Sequence, residues 1–251
     1  MEEQYHILNG DALKKIFPED IQGKAFVCRE CLVEGSVQVY NPGEIFIARA
    51  EFISTRYKEF SKDDYFKKTV SEFDKINAIP QDAEINLWFE DDLFCQVNFW
   101  FIAYLLNRQR RNYSIYLVRP KHGCEYNFGG MSRPDLVTAF QKRIRLSKVE
   151  KFSELWKRYR DNDCEKMLEI ANSLKRRYPF LIHAVKAHID RIPKKGYPGR
   201  PYQSIKKIMA ELQTQEFGIV FREFCKREAI YGFGDLQIKQ IVDEIINQQQ
   251  K

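Results

Sequence analysis

Short apolar runs and helical stripes alternate through the first half of the chain. Tyr5 to Leu8 is an apolar run closed by Asn9-Gly10-Asp11, which predicts a strand and a turn. Ala12 to Phe17 predicts a short helix stopped by Pro18, and Ala25-Phe26-Val27-Cys28 a second strand after Gly23. Beyond Asn41-Pro42-Gly43, Phe46, Ala50, Ile53, Tyr57 and Phe60 recur at helical spacing. Ser61 with Asp64 has the spacing of a capping box, opening a helix whose buried stripe is Phe66, Val70, Phe73 and Ile76. Glu84 to Phe89 predicts a third strand, Leu93 to Leu106 a buried helix, and Tyr113 to Val118 a fourth strand. Strands alternating with helices imply βαβ units and a mainly parallel sheet.

After Gly129-Gly130 the period becomes helical throughout. Ser132 with Asp135 opens a helix whose period runs on through Trp156 and Tyr159. Further helices are expected at about 163–177, from Pro179 through Ile192, and at 202–212, 216–227 and 235–247. The fold class is therefore α/β: a parallel-sheet domain over 1–125, then a mostly helical domain over 130–251, with a flexible break near 193–201. The only low-complexity tract is the final Gln248 to Gln250.

Composition changes this picture in three ways. No apolar run reaches the roughly 18 residues of a membrane helix, and the acidic N-terminus lacks the pattern of a signal or transit peptide. Six scattered cysteines (28, 31, 95, 124, 164 and 225) argue for reduced thiols and a cytoplasmic location. The net charge of +6 conceals an asymmetry: residues 1–100 carry 11 Lys/Arg against 19 Asp/Glu, residues 101–251 carry 30 against 16. Such a split fits an acidic metal or substrate site beside a basic phosphate-binding surface, and equally two solvated surfaces that attract each other.

The chemistry gathers at strand ends. The first strand ends in Asn9, Gly10 and Asp11, the second in Arg29, Glu30 and Glu34. The third ends in Glu90, Asp91 and Asp92, the fourth in Arg119, Lys121 and His122. Parallel strands end on one edge, and ligands of open α/β sheets bind in the crevice there. Asp11, Arg29, Glu30 and Glu90 are expected to line one such crevice. Clustered carboxylates need an offset, which Arg29 beside Glu30 could supply internally, or a divalent cation such as Mg²⁺ held by Asp11, Glu90 and Asp92. Asp11, Glu30, Glu90 and Asp92 are thus the candidate catalytic groups. Asn9, Gly10, Arg29, Glu34 and Gln96 are the candidate ligand contacts, while Asp91 is expected to be merely exposed.

Other signals are weaker. Neither G-x-G-x-x-G nor G-x-x-x-x-G-K occurs, no G-x-S-x-G marks a serine hydrolase, and Cys28-x-x-Cys31 has no second pair to complete a zinc site. His6, inside a strand, reads as a core residue. Lys186, Arg191, Lys194, Lys195, Arg200, Lys206 and Lys207 form a basic stretch with Tyr197 and Tyr202 interleaved. That composition suits a nucleic-acid backbone, or a solvated linker beside a helical bundle.

HILNGD, VCRECLVEGSV, FIARAEFISTRY and LWFEDDLFCQ together resemble the bacterial family called domain of unknown function 1835. The second half resembles the C-terminal domain of unknown function often paired with it. The resemblance implies no activity. It singles out Gly10, Asp11, Arg29, Glu30, Glu34, Gly35, Glu90, Asp92, Leu93, Phe94 and Gln96. Cys28, Ser36 and Cys95 depart from the family pattern, Cys95 standing where an acidic residue is usual. Three functions remain open: an enzyme acting on a phosphorylated or nucleotide-like ligand, a nucleic-acid-associated regulatory or binding protein, and a structural protein clamping a third component.

Overall fold

A computed structural model describes residues 3–249. Five strands form one sheet in the order β2-β1-β3-β4-β5: β1 (Gln4–Asn9), β2 (Lys24–Cys28), β3 (Glu84–Trp88), β4 (Ser114–Val118) and β5 (Ile144–Arg145). The first four are mutually parallel, and β5 runs antiparallel to β4. In-register pairing places the ends of β1, β2 and β3 side by side, with Asn9 opposite Cys28 and Leu8 opposite Trp88. The chain passes from β2 across β1 to β3, so the switch of direction that opens a crevice in such sheets falls at β1.

Alternate side chains of each strand face two apolar layers, as a sheet covered on both sides requires. Leu8 and Trp88 pack with Leu13 of α1 (Asp11–Ile16) and Leu136 of α6 (Arg133–Gln141). Tyr5, Ile7, Ile85 and Leu87 face the larger layer. That layer holds α2 (Pro42–Arg56), α3 (Lys62–Tyr65), a π turn at Phe66–Val70, α4 (Ser71–Asn77) and α5 (Leu93–Arg108). His6 is a core residue, as expected: it accepts from Trp88 Nε1 at Nδ1, 3.2 Å, so its Nε2–H donates to the Gln22 carbonyl, 2.8 Å.

α5 is apolar on nearly every side, and a helix of that kind must be buried all round. One side meets the sheet. The other carries Trp100 and Phe101 against Tyr159 and Trp156 of α7 (Val149–Arg160). The helices α8 (Cys164–Leu174), α9 (Phe180–Arg191), α10 (Arg200–Glu211), α11 (Phe217–Arg227) and α12 (Asp235–Gln249) complete the second half. One cluster of buried side chains runs from Tyr5 to Ile245, across the Gly129-Gly130 junction. Among the described residues no helix is long and apolar enough to cross a membrane.

Three expectations need correction. The helical period from Ser132 to Tyr159 is not continuous. The capping box of Ser132 and Asp135 opens α6, which stops at Gln141; β5 then joins the sheet edge, and Leu146 N donates to Ile115 O at 2.8 Å. The segment 193–201 is folded, with Lys194 and Tyr197 exchanging backbone hydrogen bonds of 2.8 and 2.9 Å around Gly196 at φ 76°. The helix from Pro42 ends at Arg56, so Phe60 lies in an exposed loop. The tail Gln248 to Gln250 extends beyond the described residues.

A core shared across both halves predicts one unfolding transition. Variants retaining only Trp88 (sheet face) or only Trp156 (second half) should lose native fluorescence at the same urea concentration. A distinctly earlier midpoint for Trp156 would show that the halves unfold separately.

Candidate functional site

A cleft of about 420 Å³ opens at the carboxyl ends of β1 and β2. Asn9, Gly10 and Asp11 form one wall; Arg29, Glu30 and Cys31 form the next. Ile53 of α2 and Tyr57 just past its end, with Tyr65, Lys68 and Thr69 beyond, close a third side. Phe60 and Phe94 add aromatic surface, and Leu236 and Gln237 of α12 complete the rim. The π turn accounts for part of this shape. Within it the Lys68 carbonyl accepts from Arg29 Nη1, which ties the turn to the end of β2.

Arg29 is half-buried at the mouth. Its Nε donates to Asp11 Oδ2 at 2.7 Å, and that bond raises its pKa despite some desolvation. Nη2 has no partner among the described residues, so one edge of the fork remains for a ligand. Lys68, paired with Asp64 at 3.1 Å, brings a second cation to the same rim.

Beneath the cleft lies a buried ion pair. Arg49 is fully buried, as is the Glu30 carboxylate, and Arg49 Nη2 meets Glu30 Oε2 at 3.0 Å. Burial pulls the Arg49 pKa down, but the charge and hydrogen bonds of Glu30 outweigh it, so the group stays firmly cationic. Tyr65 OH donates to Glu30 Oε1, and Cys31 N to Oε2 at 2.9 Å. Glu30 therefore borders the cleft with both oxygens committed. Its offset comes from Arg49 rather than Arg29, contrary to the sequence expectation. Arg49 also donates to the carbonyls of Cys31 and Glu34. Glu34 lies behind the rim, where its carboxylate accepts from Tyr57 OH and from Gln237 Nε2.

Glu90, Asp92 and Gln96 lie on the same sheet edge but outside the cleft lining. Asp92 caps α5 by accepting from Cys95 N at 2.9 Å. Cys95 Sγ donates to Glu90 Oε2 at 3.2 Å and accepts from Asn9 Nδ2 at 2.8 Å, so Asn9 stands between cleft and cluster. Gln96 donates to the Glu90 carbonyl at 2.8 Å. Burial raises the pKa of Glu90; burial, then the Glu90 charge, pushes Asp92 up to about 7; burial keeps Cys95 a neutral thiol. Gly232 helps to seal this cluster. A Cβ on it would stand 2.0 Å from Asp92 Oδ1.

Ligand atoms of Glu90, Asp92 and Cys95 lie within 4.8 Å of one another, close enough to converge on one cation. Asp11 is not among them. Chemically, the pair of carboxylates can hold a proton near neutral pH, with the neutral Cys95 thiol donating a hydrogen bond to Glu90.

Two further expectations fail. Asp91 is buried, not exposed: Arg119 Nε holds its Oδ1 at 2.8 Å, and the same guanidinium lies 4.2 Å from the centre of the Phe180 ring. The fourth strand end therefore fastens the sheet to α9 instead of joining the crevice, and Lys121 and His122 face solvent. The basic stretch of the second half is partly neutralised within the chain, Arg200 pairing with Glu228 and Asp190, and Lys207 with Glu211. Sequence reasoning passed over Arg49, although its position on the stripe Phe46, Arg49, Ala50, Ile53 marked it as inward-facing. All six cysteines are free.

No family model, no curated protein and no solved structure matches the chain.

Asp92 sets a pH dependence. Between its unfolded value of 3.8 and its folded value of about 7, the native state holds a proton that the unfolded state releases. Stability from this group is full below that window and is lost as pH rises through it. Asp92→Asn keeps the cap and removes the titration. Relative to wild type it should gain on the order of 2–4 kcal/mol between pH 4 and pH 8. Urea midpoints at the two pH values check this, and a difference that does not grow with pH contradicts it.

Arg49→Leu leaves the Glu30 carboxylate buried and unpaired, and should cost roughly 3–5 kcal/mol. Arg29→Gln breaks only a solvent-accessible pair and should cost less than about 1 kcal/mol. Equal losses in denaturant melts would show that the roles assigned to the two arginines are wrong.

Proposed function

We propose that the cleft binds a phosphorylated, nucleotide-like small molecule. The observation that carries this reading is one unpaired guanidinium edge, that of Arg29, at the mouth of a cleft with aromatic walls on the carboxyl edge of a parallel sheet. Tyr57, Tyr65, Phe60 and Phe94 offer ring faces to a planar group. Arg29 and Lys68 offer donors and charge to a phosphate, the Arg29 Nη2 being the nitrogen still free to donate. The convergence of four separate motifs supports the same reading. HILNGD supplies Asn9, Gly10 and Asp11, VCRECLVEGSV supplies Arg29, FIARAEFISTRY supplies Ile53 and Tyr57, and LWFEDDLFCQ supplies Phe94.

In the enzymatic form of this proposal, Asn9 presents the ligand next to the Glu90–Asp92 pair, which supplies or takes a proton. Asp92, with its pKa near 7, is the group tuned for that exchange. Glu30 has a positioning part only, because its oxygens already hold Arg49, Tyr65 and the Cys31 amide.

The test is a thermal-shift and calorimetric screen of nucleoside mono-, di- and triphosphates and sugar phosphates. At a hundred times its dissociation constant a true ligand adds about 2.7 kcal/mol of stability. Arg29→Gln should abolish that gain and leave the melting temperature of the free protein nearly unchanged. A ligand whose effect survives Arg29→Gln, or a screen with no saturable response, overturns the proposal.

A further inference from the structure

A second cavity, about 260 Å³, lies between the 35–38 loop and the helices α7 and α9. Its walls are Gly35, Ser36, Val37 and Gln38 on one side, and Tyr159, Arg160, Asn162, His188 and Arg191 on the other. Among these lining residues there is no carboxylate.

The donors around this cavity are under-used. Arg191 gives Nε to His188 Nδ1 at 3.2 Å and Nη2 to the Tyr159 hydroxyl at 3.0 Å, both neutral acceptors. It has no carboxylate partner among the described residues. Arg160 is held by Asp161 at 2.9 Å and lies 4.0 Å from the centre of the Tyr40 ring, which fixes its plane at the cavity edge. His188 is 2 % exposed. A guanidinium does not surrender its proton, so His188 Nδ1 must accept and Nε2 must carry the hydrogen. That Nε2–H has no acceptor among the described residues. Burial and the neighbouring Arg191 hold the His188 pKa down to about 3, so the ring stays neutral and cannot relieve the defect by changing charge. An unsatisfied buried donor is costly, and native structures contain few of them.

We propose that this cavity is an oxyanion site, distinct from the cleft, that takes a phosphate group between Arg160 and Arg191, with His188 as the buried neighbour that senses it through Arg191. An oxyanion supplies what the walls lack: negative charge for Arg191, whose contact with His188 Nδ1 carries the change to the imidazole ring. The site is also placed to matter. The segment forming one wall continues directly from Glu30 and Cys31, which line the cleft, so an anion here would brace the chain that shapes the other site.

The test uses the full chain and two probes, inorganic phosphate and a small phosphomonoester, each titrated against chloride at constant ionic strength. The readouts are melting temperature and the His188 Nε2–H resonance in a nitrogen-labelled sample. Phosphate should raise the melting temperature saturably where chloride does not, and should shift the His188 resonance with the same midpoint. Arg191→Lys keeps the charge but loses the fork, and should weaken binding about tenfold or more. Arg160→Gln leaves the Arg191–His188–Tyr159 contacts in place and should weaken it as well. Arg29→Gln, in the cleft, should leave the His188 response intact. Tighter binding of the monoester identifies a phosphorylated molecule as the occupant, and binding of inorganic phosphate alone identifies the free ion. The proposal is overturned if neither probe shifts the His188 resonance, if the shift survives both Arg160→Gln and Arg191→Lys, or if it vanishes with Arg29→Gln. The wild-type resonance decides the matter even if a variant folds poorly.

Discussion

The ion pair of Arg49 and Glu30 is closed off from solvent, and much of the surrounding architecture hangs from it. Removing two charges from water costs several kcal/mol per ion, which only a complete set of partners offsets. Arg49 supplies that set by reaching Glu30, the carbonyl of Cys31 and the carbonyl of Glu34 at once. It thereby fixes α2 against a stretch of chain with no regular secondary structure of its own. Glu30 and Cys31 at the start of this stretch line the cleft, and Gly35 to Gln38 further along it line the arginine-bearing cavity. A lysine in its place would carry the charge but could not span three acceptors in a plane.

A different economy governs the end of β3. Asp92 is buried there beside the half-buried Glu90, and among the described residues neither has an ion-pair partner. A third acid at position 95 would add another negative charge to a space already hostile to two. The thiol avoids this by staying neutral while still donating to Glu90. Gly232 has the opposite effect. By letting the backbone close against Asp92 it removes water and pushes that group toward protonation.

The layout of the sheet was legible because strand and helix periods differ so plainly over Tyr5–Leu8, Glu84–Phe89 and Leu93–Leu106. The capping box at Ser61 was legible for a similar reason: its signal is local. What stayed hidden depends on partners far away in the sequence. Asp91 looks like a loop charge until Arg119, twenty-eight positions on, is seen to claim it. β5 is two residues long and carries no pattern; only the open edge of β4 explains it. Chain direction alone brought Asn9, Gly10, Asp11, Arg29 and Glu30 to one cleft. It could not say that Glu90 would sit behind Asn9, because that is settled by side-chain packing around α5.

The cleft is closed by Leu236 and Gln237, and Gln237 bonds to Glu34 across a separation of 203 residues. On the ribosome, where residues emerge at roughly 5–20 per second, the sheet and its motifs appear long before α12 exists. During that interval the aromatic walls and the ends of β1 and β2 stand open to the crowded cell. The apolar face of α5 also waits for α7. A nascent chain of this topology therefore carries its stickiest surfaces exposed for many seconds, and the rim of the cleft is complete only after α12 has been translated. A chain truncated before α12 would keep most of the residues that line the cleft and still lack the rim that closes it.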